Sequence, residues 1–213
     1  MILRRLAESA LIPVVVLEHS ERAIDTADAL AKGDVHVMEI TLRTDAALVS
    51  IEKLSQLRPS MCTGAGTVLT PSQAEECVDA GAQFIVSPGY SQSLVDWCIE
   101  RCVPIIPGCV TPTEILMAYM SGLRVVKYFP ANIYGGVSAL KGLIGPFGEM
   151  RFIPTGGINA SNFLEYLSVP CVQAVGGSWI CDRHDINEGR FDKITQLCRD
   201  ARESINNSEL CNR

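Results

Sequence analysis

Histidine is scarce: three residues in 213, His19, His36 and His184, with no two close in sequence. That pattern argues against a histidine-ligated metal centre. Paired cysteine motifs are absent as well. The nine cysteines are odd in number and scattered, none forms a C-x-x-C pair, and several sit in apolar strand-like runs where a thiol behaves as a small hydrophobe. A disulfide framework and a zinc site are therefore not expected, and a reducing cytoplasm is. No basic cluster stands out in a chain of formal charge −6, so nothing marks a nucleic-acid surface. No apolar run approaches the ~20 residues of a membrane span. The start, Met1-Ile2-Leu3-Arg4-Arg5, superficially resembles a signal peptide, but Glu8 and Pro13 interrupt the apolar stretch and Glu18 closes it. The dinucleotide fingerprint G-x-G-x-x-G does not follow the first strand-like run, where Leu17 leads into Glu18-His19-Ser20. Neither a linker nor a low-complexity segment divides the chain, and its length suits one domain with a sizeable core.

What is present is a repeated unit. After a short amphipathic lead-in helix over 1–9, an apolar β-rich run is followed by a turn and a helical stretch. The runs are 12–17, 35–40, 61–64, 84–86, 103–106, 124–129, 151–154 and 171–175. The helical stretches are 20–32, 45–57, 71–80, 91–101, 111–121, 136–143, 159–167 and 188–206. Thr70-Pro71 places a cap residue before a first-turn proline, and Thr111-Pro112-Thr113-Glu114 has the spacing of a capping box. Gly33, Gly81 and Gly122 follow helical stretches as stop signals. Runs recurring every ~20–27 residues, eight in all, predict a compact (β/α)₈ TIM barrel over about 12–206 within a single domain 1–213, with a polar, frayed tail at 207–213. An open doubly wound sheet is the alternative.

One strand carries the most telling residue. In Leu123-Arg124-Val125-Val126-Lys127-Tyr128-Phe129-Pro130, alternation puts Val125, Lys127 and Phe129 on one face. A desolvated ammonium among Val and Phe either finds a carboxylate or gives up its proton. A fixed neutral amine is what attack on a ketone requires, so Lys127 is a candidate imine-forming nucleophile. The plainer alternative is a lysine that snorkels from the strand end to solvent.

In a barrel, reactive groups gather at the C-terminal ends of the strands. Val35, Val37, Glu39 and Thr41 share a face, and if it points inward Glu39 stands at the top of the interior, able to pair with Lys127 or move protons. The plainer reading is a structural ion pair, which is costly to bury and weak as a source of stability. Arg43, just past the strand, could grip a carboxylate in bidentate fashion, or be a solvated loop arginine. In Gly64-Ala65-Gly66-Thr67 the glycines would let a ligand approach the backbone, and Thr67 offers a hydroxyl. Ser87-Pro88-Gly89 and Pro107-Gly108 read as rigid turns, with Pro88 as an apolar wall. Pro154-Thr155-Gly156-Gly157 and Gly176-Gly177-Ser178 follow the last two strands, where a barrel's phosphate cradle commonly forms. Amine, carboxylate, arginine and cradle together suit cleavage or formation of a carbon–carbon bond beside a 2-keto acid with a distal phosphate.

The motifs Glu39-Ile40-Thr41-Leu42-Arg43-Thr44, Gly64-Ala65-Gly66-Thr67-Val68-Leu69, Lys127-Tyr128-Phe129-Pro130-Ala131, Pro154-Thr155-Gly156-Gly157-Ile158 and Gly176-Gly177-Ser178-Trp179 occur in one order over about 12–201. In this the chain resembles the class I 2-keto-3-deoxy-6-phosphogluconate (KDPG) aldolases, also called 4-hydroxy-2-oxoglutarate (KHG) aldolases. The resemblance implies a Schiff base on Lys127, proton shuttling by Glu39, and a pyruvate carboxylate held by Arg43 and Thr67. It implies pyruvyl packing by Pro88 and Phe129, a substrate contact from Thr155, and phosphate on Gly156, Gly157 and Ser178. It further implies a cytoplasmic homotrimer needing no metal or other cofactor, with a small-molecule 2-keto acid phosphate as substrate and no nucleic-acid or membrane partner. A similar branch acts on 2-keto-3-deoxy-6-phosphogalactonate and typically carries Asn in place of the arginine, so Arg43 favours the gluconate type. Two other readings stay open: a metal-free sugar-phosphate isomerase or epimerase with Lys127 as a mere charge partner, and a non-catalytic phosphate-binding scaffold.

Overall fold

The computed structural model describes residues 1–208. Cys211 and most of the expected frayed tail lie outside the described residues. The strands are β1 Leu11–Val15, β2 Val37–Thr41, β3 Cys62–Gly66, β4 Ile85–Val86, β5 Ile105–Ile106, β6 Val125–Tyr128, β7 Arg151–Pro154 and β8 Val175–Gly177. The helices are α1 Ile2–Ser9, α2 Ala23–Lys32, α3 Ala46–Leu57, α4 Pro71–Asp79, α5 Gln92–Glu100, α6 Pro112–Met120, α7 Gly136–Ile144, α8 Phe163–Leu167, α9 Arg183–Asn187 and α10 Phe191–Asn206. All pairings are parallel. Six strands form one curled sheet in the order β5-β4-β3-β2-β1-β8, and β6 pairs with β7. Isolated parallel bridges Gly108↔Lys127 and Thr155↔Gly176 lie between the two sheets.

Strand alternation sorts the apolar residues into two bodies. Ile12, Val37, Cys62, Phe84, Ile106, Val125 and Ile153 form the inner cluster, which Leu6 of α1 joins with no exposed surface. Burying a leucine so completely is worth roughly 1.5–3 kcal/mol, which fixes the lead-in helix across one end of the curl. Val126, Tyr128, Met38 and Ile40, on the opposite faces of the same strands, belong to the outer cluster under the helices. Lys127 and Glu39 therefore fall on the inner face, in register with Val125 and Val37.

The helix starts follow their local chemistry. Thr70 accepts from the Gln73 N–H at the start of α4, and Thr111 and Glu114 form the reciprocal capping box of α6. Gly81 and Gly122 take the left-handed turn after α4 and α6, but Gly33 has φ −92° and the left-handed residue after α2 is Asp34. The expected helix over 188–206 starts at Phe191 as α10, because Gly189 at φ 70° separates it from a short helix over 183–187, α9, that no periodic pattern announces. Among the described residues, no helix is long and apolar enough to cross a membrane. The described cysteines are free thiols, all buried except Cys102, and burial pushes Cys77, Cys109 and Cys198 up to about 12.

Candidate active site

The Lys127 Nζ donates to Glu39 Oε1 at 3.2 Å, with side chains 8% and 4% exposed. The two residues are 88 positions apart, and their strands are not neighbours in either sheet. The pair spans the interior. A buried pair of this kind returns little net stability for the desolvation of both ions, and breaking it by removing one partner costs several kcal/mol. The same ammonium lies over the Phe129 ring, 5.1 Å from its centroid.

Space for the carboxylate comes from β3. A Cβ on Gly66 would stand 2.1 Å from Glu39 Oε1, and one on Gly64 would stand 2.2 Å from the Phe84 ring. Each of these glycines leaves room for a neighbouring side chain.

Arg43 and Thr67 lie just beyond β2 and β3. Arg43 Nε donates to Thr67 Oγ1 at 3.4 Å, a long contact that still orients the guanidinium. Thr67 holds φ 61°, a left-handed conformation that a β-branched residue adopts only when its surroundings impose it. Such strain concentrates at functional sites, and here it aims the hydroxyl at Arg43.

A cavity of about 240 Å³ opens above the pair. Lys127, Phe129, Arg43 and Thr155 line it, together with Gly156, Gly157, Gly177 and Ser178. Gly156 and Gly157 are consecutive left-handed residues at φ 94° and 78°. Their carbonyls are turned onto the chain, where they accept from the Asn132 N–H at 3.1 Å and the Asn162 side chain at 2.9 Å. Neither carbonyl is then left to oppose an anion in the cavity. The Phe129–Pro130 peptide bond beside this loop is cis.

Three of the expected residues do not line the cavity directly. Glu39 lies beneath Lys127, Thr67 reaches the site through Arg43, and the Pro88 carbonyl packs against Gly108, which bridges to Lys127. The structure adds wall residues that strand-end reasoning passed over: Val14, Val16, Ile158, Cys181, Asp182 and Arg183. Asp182 and Arg183 lie between the last expected strand and the last expected helix.

A buried lysine–carboxylate pair under an arginine and a glycine-lined cavity fits imine chemistry on a keto acid, the chemistry of a Schiff-base lyase. A sequence model of the family described as "Aldolase: KDPG and KHG aldolase" matches residues 2–197. The chain is 41% identical over 198 residues to the KHG/KDPG aldolase of Escherichia coli (strain K12), covering 93% of both proteins. It is 43% identical over 196 residues to the 2-dehydro-3-deoxy-phosphogluconate aldolase of Dickeya dadantii (strain 3937), covering 92% of both. The crystal structure of KDPG aldolase from Legionella pneumophila, with pyruvate captured at low pH as a covalent carbinolamine intermediate, matches with TM-score 0.91 at 40% identity, over 93% of this chain and 97% of that one. The chain belongs to the KDPG and KHG aldolase family.

Proposed function

We propose that the chain is a class I aldolase that cleaves 2-keto-3-deoxy-6-phosphogluconate to pyruvate and glyceraldehyde 3-phosphate, and also accepts 4-hydroxy-2-oxoglutarate, releasing pyruvate and glyoxylate. The observation that carries this reading is the buried Lys127–Glu39 contact at the floor of the cavity.

Lys127 passes a proton to Glu39 and its free amine attacks the C2 ketone, giving a carbinolamine. Glu39 returns the proton to the C2 hydroxyl, which leaves as water, and a protonated imine remains. Glu39 then takes the proton of the C4 hydroxyl. The C3–C4 bond breaks, its electron pair moves into the imine as an enamine, and the aldehyde departs. Protonation of the enamine carbon and addition of water to the imine release pyruvate and restore the lysine.

Arg43, oriented by Thr67, grips the keto-acid carboxylate in bidentate fashion. Phe129 and Pro88 supply the apolar surroundings of the pyruvyl part, Thr155 contacts the substrate, and Gly156, Gly157 and Ser178 take the distal phosphate. In the fold we read the two bridged sheets as one closed (β/α)₈ barrel and the whole chain as a single domain. The family resemblance supports a cytoplasmic homotrimer. The exposed Leu116, Met117 and Met120 of α6 are apolar surface of the kind an oligomer covers.

The test is release of pyruvate, followed by a coupled dehydrogenase assay, from the gluconate-type and galactonate-type phosphorylated substrates and from 4-hydroxy-2-oxoglutarate. Preference for the gluconate type is expected. Turnover of sugar phosphates without pyruvate release would instead favour the isomerase reading.

A further inference from the structure

The cavity wall carries three cations, Lys127, Arg43 and Arg183, against one carboxylate, Asp182. The chemistry above uses the first two. Arg183 opens α9, five residues past Ser178. Its Nη2 is paired with Glu18 Oε1, and Glu18 Oε2 accepts from the Asn187 side chain. Asn187 is held in turn through its carbonyl, which accepts from Arg22 Nη2 at 3.2 Å. Glu18, just beyond β1, is thus fastened by both ends of α9.

An ion pair whose arginine is 60% exposed contributes little to stability in water. It does position the group. A guanidinium has five N–H donors in a rigid plane, and one carboxylate oxygen engages only part of that set. Asp182 does not cancel the charge at short range, because its Oδ1 is turned to the His184 N–H at 2.8 Å as the cap of α9.

We propose that Arg183 is a specificity-determining residue that grips the phosphomonoester at the far end of the substrate, beside Gly156, Gly157 and Ser178, with Glu18 as the residue that positions it. The proposal rests on the aldolase reading and deepens it. A 2-keto acid lacking the phosphate leaves Arg183 without a ligand, so this side chain separates long phosphorylated substrates from short ones.

The experiment measures kcat and KM for 2-keto-3-deoxy-6-phosphogluconate and for 4-hydroxy-2-oxoglutarate in the wild type, Arg183→Ala, Arg183→Lys and Glu18→Gln. Arg183→Ala lowers the ratio of the two kcat/KM values by about tenfold, the scale of one exposed charge-assisted contact, chiefly through KM for the phosphorylated substrate. Arg183→Lys restores part of the ratio, and Glu18→Gln lowers it in the same direction by a smaller factor. Inorganic phosphate, as a competitive inhibitor, binds more weakly to Arg183→Ala than to the wild type. An unchanged ratio, with both substrates still turned over, overturns the role of Arg183 and leaves the aldolase reading standing. A wild type that releases pyruvate from neither substrate overturns both.

Discussion

Gly66 and Glu39 share a space that only one of them can fill: a Cβ built on Gly66 would stand 2.1 Å from Glu39 Oε1 and 2.7 Å from its Cδ. The carboxylate keeps its place under Lys127 because β3 presents no side chain there. Gly66 is part of the site's construction through the room it leaves for Glu39.

Gly66→Ala therefore pushes the carboxylate off Lys127. A displacement of about 1 Å at the reacting groups is worth about a hundredfold in kcat, and the added methyl in a filled interior costs about 1–3 kcal/mol. Gly89→Ala is the control, since a Cβ there meets nothing within 4 Å. Steady-state kinetics with thermal melts of both variants decide the matter. A folded Gly66→Ala with wild-type kcat would show that the position of Glu39 does not limit the reaction.

Thr67 pairs a left-handed backbone with a hydroxyl 3.4 Å from Arg43 Nε. Thr67→Gly relieves the backbone, a gain of about 1–2 kcal/mol offset by glycine's greater unfolded-state freedom of about 0.5–1. A net rise in Tm of up to a few degrees is expected, since ~1 kcal/mol moves a domain of this size by about 2–4 °C. The same variant raises the KM for pyruvate in the condensation direction, because Arg43 loses its guide. A melt that rises while KM stays put would separate Thr67 from carboxylate binding.

Asp185 is buried at the start of the C-terminal region, with Lys193 Nζ 2.7 Å from Oδ2 and Arg190 Nη1 3.3 Å from Oδ1. The hydrogen bond from Lys193 holds the carboxyl below the usual carboxylate range, against the opposing effect of burial, and the charges of Lys193 and Arg190 add to it. A carboxyl depressed in the folded state contributes stability that is present above its unfolded pKa of about 3.9 and is lost as pH falls through the folded value. Asp185→Asn is thus less stable by about 1–2 kcal/mol at pH 7, and the gap narrows below about pH 4. Urea melts at neutral and acid pH measure it. A gap that stays constant to pH 2 would mean the carboxylate charge is not what Asp185 contributes.

The strand ends were the most legible part of the chain. Period-two alternation puts Lys127 on one face with Val125 and Glu39 on one face with Val37, and the packing of those valines makes that face the inner one; the capping chemistry of Thr70 and Thr111 locates two helix starts. Which side chain the glycines of β3 make room for is not legible, because it depends on which neighbour fills the gap. That is a property of packing between strands, and no local pattern carries it. The strain at Thr67 was equally hidden, since nothing in a threonine announces a positive φ. Arg183 was missed for a different reason. Residues 183–187 form only a short helix, too brief for a periodic signal, and the glycine break after them falls inside the expected helix over 188–206.

The most direct measurement is reductive trapping on Lys127. The protein is incubated with pyruvate, treated with borohydride, digested, and the added mass located by mass spectrometry. A reduced pyruvyl adduct on Lys127, formed more slowly in Glu39→Gln and missing from Lys127→Ala, is the predicted result. A folded protein that gains no adduct, or gains it at a lysine other than Lys127, would contradict imine chemistry at this site.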